Sequence, residues 1–72
     1  MPKNEVRIYN SKAVIFQNEY DVWQFRIWLA DEDKYFRQSL RTKDKGKAIS
    51  DAEEMYEDIK YMKRKGKKIY SI

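Results

Sequence analysis

The side chains best suited to recognition chemistry alternate along two stretches near the middle of the chain. Read as β-strands, these stretches place Gln24, Arg26, Trp28, Tyr35, Arg37 and Ser39 on one face of a sheet. In the major groove of DNA, Arg can donate two hydrogen bonds to guanine and Gln can bond adenine. Aromatic rings can pack on sugars or on thymine methyl groups. The face therefore has the residue types of a surface that reads duplex DNA. The alternative is a solvated face whose arginines stack on aromatic rings, and composition alone slightly favours it.

The two stretches, residues 22–29 and 34–40, are predicted to form a hairpin around the acidic turn at residues 31–33. One antiparallel register gives both strands the same core face. It pairs Ile27 with Phe36, Phe25 with Gln38, Trp23 with Leu40, Trp28 with Tyr35, Arg26 with Arg37 and Gln24 with Ser39. Like charges directly opposite each other on adjacent strands are unfavourable, so Arg26 should repel Arg37, and a bound anion would turn that cost into affinity.

The remaining periodicity predicts an α+β fold, in which a three-stranded antiparallel sheet packs against one C-terminal α-helix. Residues 12–17 supply the first strand, and Thr42 is a suitable N-cap for the helix. Gly66 suits the C′ position that ends it. The helix has a narrow apolar stripe of Ala48, Ala52, Met55 or Tyr56, Ile59 and Met62. Residues 12–66 form the predicted domain, with an N-terminal arm or extra short strand at residues 1–11 and a basic C-terminal tail at residues 67–72.

A second group of basic and hydroxyl residues could contact phosphates around this face. It consists of Lys12, Arg41, Thr42, Lys43, Lys63, Arg64 and Lys65. The loop at residues 39–43 precedes the helix, where backbone amides attract anions, although capping alone also accounts for Thr42. The basic segment at residues 60–68 either adds nonspecific attraction to DNA or complements the negative end of the helix.

The composition argues against catalysis, metal binding and membrane insertion. The 72 residues contain no Cys and no His, which removes disulfides, thiolates, the commonest metal ligand and the commonest general base. The sequence has no nucleophile-and-base pair and no phosphate-cradling glycine loop. No apolar run is long enough to span a bilayer, and the first residues lack the apolar stretch of a signal peptide. We expect a cytoplasmic binding module with no cofactor and no metal, rather than an enzyme.

Acidic side chains concentrate on the predicted helix. Glu53, Glu54, Glu57 and Asp58 mostly point outward in its register, and we expect a solvated face that keeps the helix away from DNA. Docking of a partner protein on this acidic face is the alternative. The net charge of +4 is too modest to indicate nucleic acid by itself.

The order of these features resembles the N-terminal arm-type DNA-binding domain of phage tyrosine recombinases (integrases). The resemblance covers roughly residues 12–66 and is most specific at Ser39-Leu40-Arg41-Thr42-Lys43-Asp44-Lys45, followed by Ala48. Residues 23–27 look like the aromatic second strand of that family, and residues 62–66 look like its basic helix exit. The resemblance implies a sheet that enters the major groove of arm-type sites. It places Gln24, Arg26, Trp28, Arg37 and Ser39 on the DNA, with Thr42 and Lys43 beside the DNA backbone.

The sequence departs from that family in one large respect. The core-binding domain and the catalytic domain, with its Arg, His and Tyr, are absent. We therefore expect either a fragment of a recombinase or a free-standing phage protein. The expected partners are double-stranded DNA and either the remaining recombinase polypeptide or a host or phage protein. The alternatives are a small protein-interaction module and an RNA-binding sheet.

Overall fold

Residues 4–67 of the computed structural model form a sheet of four antiparallel strands with a helix across one face. The strands are β1 (Glu5–Ile8), β2 (Ala13–Gln17), β3 (Trp23–Leu29) and β4 (Lys34–Ser39), in the spatial order β1-β2-β3-β4, and the helix is α1 (Lys45–Arg64). The α+β class and the antiparallel sheet are confirmed. Residues 1–3 of the predicted arm and residues 68–72 of the predicted tail lie outside the described residues.

The predicted number of strands was wrong, because β1 adds a fourth strand at one edge of the sheet. This segment is short and alternates weakly, but its apolar positions match the core face of β2 once the two strands pair. Val6 lies opposite Ile15, and Ile8 lies opposite Ala13. Both Val6 and Ile8 pack against the buried cluster. Burial that exists only after pairing therefore stabilises a strand that its own sequence hardly specifies.

The hairpin of β3 and β4 has the predicted register. Its pairs are Gln24 with Ser39, Phe25 with Gln38, Arg26 with Arg37, Ile27 with Phe36, Trp28 with Tyr35 and Leu29 with Lys34. The Leu40 amide donates to the Trp23 carbonyl at 2.9 Å, which continues the pattern beyond the end of β4. The buried side chains of β3 are Trp23, Phe25, Ile27 and Leu29. Lys34 and Gln38, the polar residues of β4 on the core face of this hairpin, lie exposed on the edge strand.

Helix α1 covers β2 and β3 through the predicted apolar stripe. Ala48 and Ala52 are fully buried, and their small side chains let the helix approach the sheet closely. Tyr56 rather than Met55 occupies the next buried position, followed by Ile59. The Tyr56 ring stacks on Tyr9, with ring centroids 4.0 Å apart, so the β1–β2 turn is also held to the helix.

The helix begins at a different residue from the one that the sequence indicated. Asp44, not Thr42, is the N-cap, and its carboxylate accepts hydrogen bonds from the amides of Gly46 at 2.9 Å and Lys47 at 3.4 Å. The prediction failed because the Thr42 carbonyl accepts from the Trp23 amide at 2.8 Å, which holds Thr42 beside the sheet.

The C-terminal end of α1 is the one predicted. Gly66 has a φ of 79° and lies at the C′ position after Lys65. Its amide donates to the Lys63 carbonyl at 3.0 Å, and the Lys67 amide donates to the Met62 carbonyl at 2.9 Å. This pair of bonds is the Schellman arrangement, which satisfies two carbonyls at the helix end and favours glycine at the left-handed position.

Candidate nucleic-acid interface

The helix leaves one face of the sheet uncovered, and the residues predicted for recognition lie on it. We call this surface the open face; it consists of Glu5, Arg7, Val14, Phe16, Gln24, Arg26, Trp28, Tyr35, Arg37 and Ser39. Pairing aligns these side chains in rows across the strands. The central row is Arg7, Val14, Arg26 and Arg37, and the next is Glu5, Phe16, Gln24 and Ser39. Strand pairing thus gathers six residues that the sequence analysis had singled out from two strands.

Arg26 is held at the centre of the open face by two aromatic rings. Its guanidinium carbon lies 5.6 Å from the centre of the Phe16 ring and 5.2 Å from that of Tyr35. In the sequence analysis, stacking of arginine on aromatic rings belonged to the alternative to DNA binding, a solvated face. These cation–π contacts restrict the Arg26 side chain, which is half-buried on the open face.

The exposed rings of the open face lie beside Arg26. Trp28 is 45% exposed and Tyr35 is 53% exposed, although both are large and partly apolar. They meet edge to face, with centroids 4.9 Å apart and planes inclined at 67°. A pair of this kind offers flat surfaces for a sugar, a base or a methyl group.

Arg7 belongs to the open face and was missed at the sequence level. It lies on β1 opposite Val14 and so joins the row that contains Arg26 and Arg37. Its guanidinium is 3.4 Å from the Glu5 carboxylate, and both side chains are well exposed. Its position between two half-buried apolar residues, at 6 and 8, was the available signal, but that alternation was too short to fix a strand.

The loop before α1 is organised by its own side chains. The Arg41 amide donates to the Ser39 hydroxyl at 3.2 Å, and the Asp44 amide donates to the Thr42 hydroxyl at 3.1 Å. The Lys43 carbonyl accepts from the indole Nε1 of Trp23 at 3.2 Å. At the helix start, the Asp44 carboxylate occupies amides that a phosphate would use, and its charge disfavours a phosphate there.

Lys63 differs from the other predicted phosphate contacts because its charge is already neutralised. Its ammonium bonds to Asp31 at 2.8 Å and to Glu32, so it ties α1 to the β3–β4 turn. Burial alone would lower the pKa of Lys63, but the hydrogen bonds and charges of the two carboxylates outweigh it and raise that pKa. We expect Lys63 to contribute to stability rather than to anion binding.

Two other predicted cations lie around a recess between α1 and β3. Lys12 and Arg64 line a recess of about 620 Å³, together with Trp28 and Lys63. Trp28 links this recess to the open face. Lys65 is exposed at the helix end, with its ammonium 5.5 Å from the centre of the Tyr61 ring. The structure thus places Lys12 and Arg64 around the same recess as Trp28, whereas Lys65, the C-cap of α1, does not line that recess.

Charge is separated between the two sides of the sheet. Glu53, Glu54, Glu57 and Asp58 are exposed on α1, as predicted. On the open face, the carboxylate of Glu5 is next to Arg7. The open face therefore carries three arginines and one carboxylate, whereas α1 carries a cluster of acidic residues at positions 51–58 with basic residues on both sides of it.

Comparisons of the chain with protein-family models, with curated proteins and with solved structures found no match. The resemblance to integrase arm-type domains therefore stays a prediction. Within residues 4–67, no group of three or more His, Cys, Asp or Glu side chains could hold a metal ion. In that same part of the chain, no helix has the length and apolar character needed to cross a membrane.

Proposed function

We propose that this chain binds duplex DNA through the open face and has no catalytic activity of its own. The observation that carries the proposal is the central row, which brings Arg7, Arg26 and Arg37 onto one solvent-facing line across the sheet. Setting Arg26 against Arg37 costs free energy in the unbound protein. A polyanion turns the same arrangement into affinity.

The width of the sheet governs how it meets the DNA. Strands lie ~4.8 Å apart, so the backbones of four strands span ~14 Å, whereas the major groove is ~12 Å wide and admits a two-stranded ribbon. We therefore assign base contacts to the β3–β4 hairpin and contacts with the DNA backbone to β1. In this arrangement Arg26 and Arg37 face base edges, and Arg7 lies over a flanking phosphate.

Neighbouring side chains complete the proposed interface. Gln24 donates one amide hydrogen to the Val22 carbonyl at 3.2 Å, which orients the donor and acceptor that adenine requires. Trp28 and Tyr35 pack on sugars or thymine methyl groups. Lys12 and Arg64, beyond Trp28, attract the phosphates that leave the groove at that end of the sheet.

The resemblance to integrase arm-type domains supports the same partner. Under the proposal, the chain acts on phage or chromosomal DNA in the bacterial cytoplasm, at the nucleoid. Recombination chemistry would come from the remaining recombinase polypeptide, or the chain would serve as a separate phage accessory protein.

Binding measurements on a selected duplex test the proposal. A random-sequence duplex library is enriched for binding, and the selected duplex is labelled for fluorescence anisotropy. Arg26→Ala and Arg37→Ala should each weaken binding by about 1–3 kcal/mol. Arg7→Ala should weaken it for all sequences alike and lower the salt slope by about 1. These side chains are outside the buried core, so the thermal unfolding curves should show intact folding.

Lys47→Ala is the charge-matched control. Lys47 lies in the first turn of α1, 3.0 Å from Asp51 and away from the open face. Its removal should leave DNA affinity nearly unchanged. Parent-like binding by both Arg26→Ala and Arg37→Ala would contradict the proposal, as would an equal loss in Lys47→Ala.

The exposed pair of Trp28 and Tyr35 favours single-stranded RNA as a second candidate ligand. Unstacked bases pack on such rings, whereas duplex bases are stacked on each other. Competition between the selected duplex and single-stranded RNA separates the two ligands, and the DNA proposal requires the duplex to win.

A further inference from the structure

A groove runs between α1 and β4 on the covered side of the sheet. The helix packs on β2 and β3, and the core side of β4 is left at its margin. The resulting groove has a volume of about 500 Å³. We call it the acidic groove. Of the open-face residues, only Ser39 lines it.

The floor of the acidic groove is apolar. It is formed by Phe36, Leu40, Met55, Ile59 and Met62. Leu40 and Ile59 are buried at its base, whereas Phe36, Met55 and Met62 are only half-buried. Methionine side chains are flexible and polarisable, so such a floor adapts to an incoming apolar side chain.

The helix side of the groove is a line of carboxylates. Asp51, Glu54 and Asp58 follow one another at i, i+3 and i+7 along α1. Asp51 is paired with Lys47 at 3.0 Å, whereas Glu54 and Asp58 form no ion pair within residues 4–67. Because Glu54 and Asp58 are like charges at i and i+4, they repel each other.

The strand side of the groove adds Gln38 and, at one end, Arg41. The charge of the groove is therefore negative along its length and positive only beside Arg41. Nucleic acid is excluded as the occupant, because phosphates would face Glu54 and Asp58. A ligand must instead bring apolar side chains to the floor and cations to the carboxylates.

We propose that the acidic groove binds a cationic amphipathic helix of another protein. The stretch from Asp51 to Met62 extends over ~16 Å of helix axis, which matches about three turns of a docked helix. Such a helix presents apolar side chains at i, i+3, i+4 and i+7 to the floor and Lys or Arg to the carboxylates. The groove and the open face lie on opposite sides of the sheet, so DNA and this partner can be bound together.

A designed peptide tests the proposal. The probe is a helical peptide of about four turns, with leucines at i, i+3, i+4 and i+7 and lysines at the other positions. Amide shifts in ¹⁵N spectra are followed as the peptide is added. Binding in the groove should shift Leu40, Met55 and Met62, and added salt should weaken it. A peptide with glutamates in place of the lysines should not bind.

Two double variants provide the matched comparison. Glu54→Gln with Asp58→Asn removes the unpaired carboxylates of the groove and should weaken peptide binding about fivefold. Glu53→Gln with Glu57→Gln removes the same charge from another part of α1, near Tyr9, and should change binding less than about twofold. Both double variants should bind the selected DNA duplex at least as well as the parent does.

Several results would overturn the proposal. They are an absence of shifts at the groove up to millimolar peptide, equal binding of the glutamate peptide, equal weakening in the two double variants, or shifts that map to the open face. Self-association of the parent through the groove, seen as concentration-dependent shifts without peptide, would also replace the proposed partner with a second copy. DNA binding can fail or succeed independently of each of these outcomes.

Discussion

At the residue scale, the proposed DNA recognition depends on a like-charge pair that the fold holds in place. Arg26 lies opposite Arg37, and the rings of Phe16 and Tyr35 flank the Arg26 guanidinium. The rings supply cation–π attraction, which offsets part of the repulsion between the two arginines. Under the proposed function, binding of a polyanion offsets the residual cost.

Arg37→Gln should therefore have opposite effects on stability and on binding. Removing one of two opposed charges should raise the free energy of unfolding by about 0.2–1 kcal/mol at low salt. The same change should weaken duplex binding by about 1–3 kcal/mol. Urea unfolding and fluorescence anisotropy measure the two effects, and added salt should shrink the gain in stability.

Arg64→Gln is the control for that substitution. Arg64 lies in the last turn of α1, where a cation favours the helix, so its loss should not raise stability. A stability gain of similar size in both variants would show that net charge, and not the cross-strand pair, is responsible.

At the element scale, the sequence predicts what strong local patterns specify. The β3–β4 register followed from alternation on two strands that had to agree about one core face. For β1 the sequence left two alternatives, an arm or an extra short strand, because residues 5–8 are too few to specify a strand without β2. The ring of Phe16 beside Arg26 was also beyond sequence reasoning, since it depends on the β2–β3 pairing. The N-cap was misplaced because Thr42 and Asp44 are both good caps, and only the bond from Trp23 to Thr42 decides between them.

The corrected start of the helix predicts unequal effects of two neighbouring substitutions. Asp44→Ala should lower the free energy of unfolding by about 1 kcal/mol, because two helix amides lose their acceptor. Asp44→Ser should retain most of that stability. Thr42→Ala should cost less than Asp44→Ala, since the Thr42 hydroxyl, which the substitution removes, accepts one hydrogen bond, from the Asp44 amide. Urea unfolding would contradict the assignment if Thr42→Ala proved the more harmful change.

The contact between Lys63 and the β3–β4 turn predicts a dependence on high pH. The pKa of Lys63 is raised above its ordinary 10.5, so the folded state holds this proton more tightly than the unfolded state. The stability that Lys63 contributes is therefore complete below 10.5 and is lost as the pH rises through the folded value. Urea unfolding between about pH 9 and pH 11.5 should show a steeper decline for the parent than for Lys63→Gln. Parallel declines in the two proteins would contradict the role of Lys63.

At the scale of the whole molecule, the sheet separates the buried core from the open face that is proposed for recognition. The buried cluster, which includes Trp23, Phe25, Ala48 and Ala52, lies between the sheet and α1. The guanidinium groups of the open face and the exposed rings of Trp28 and Tyr35 lie on the other side. A domain of 72 residues has little stability to spare, so losses in the core would unfold it. Substitutions on the open face should instead change binding while the fold is kept, which makes the central claim testable.

The most direct test of that claim is an NMR titration of the protein with the selected DNA duplex. Amide and side-chain shifts should cluster on the open face, at Arg7, Gln24, Arg26, Trp28 and Arg37, and should weaken as salt is added. The acidic surface of α1, including Glu54 and Asp58, should stay unperturbed. Shifts that cluster on that surface, or no shifts at low salt, would contradict DNA binding by the sheet.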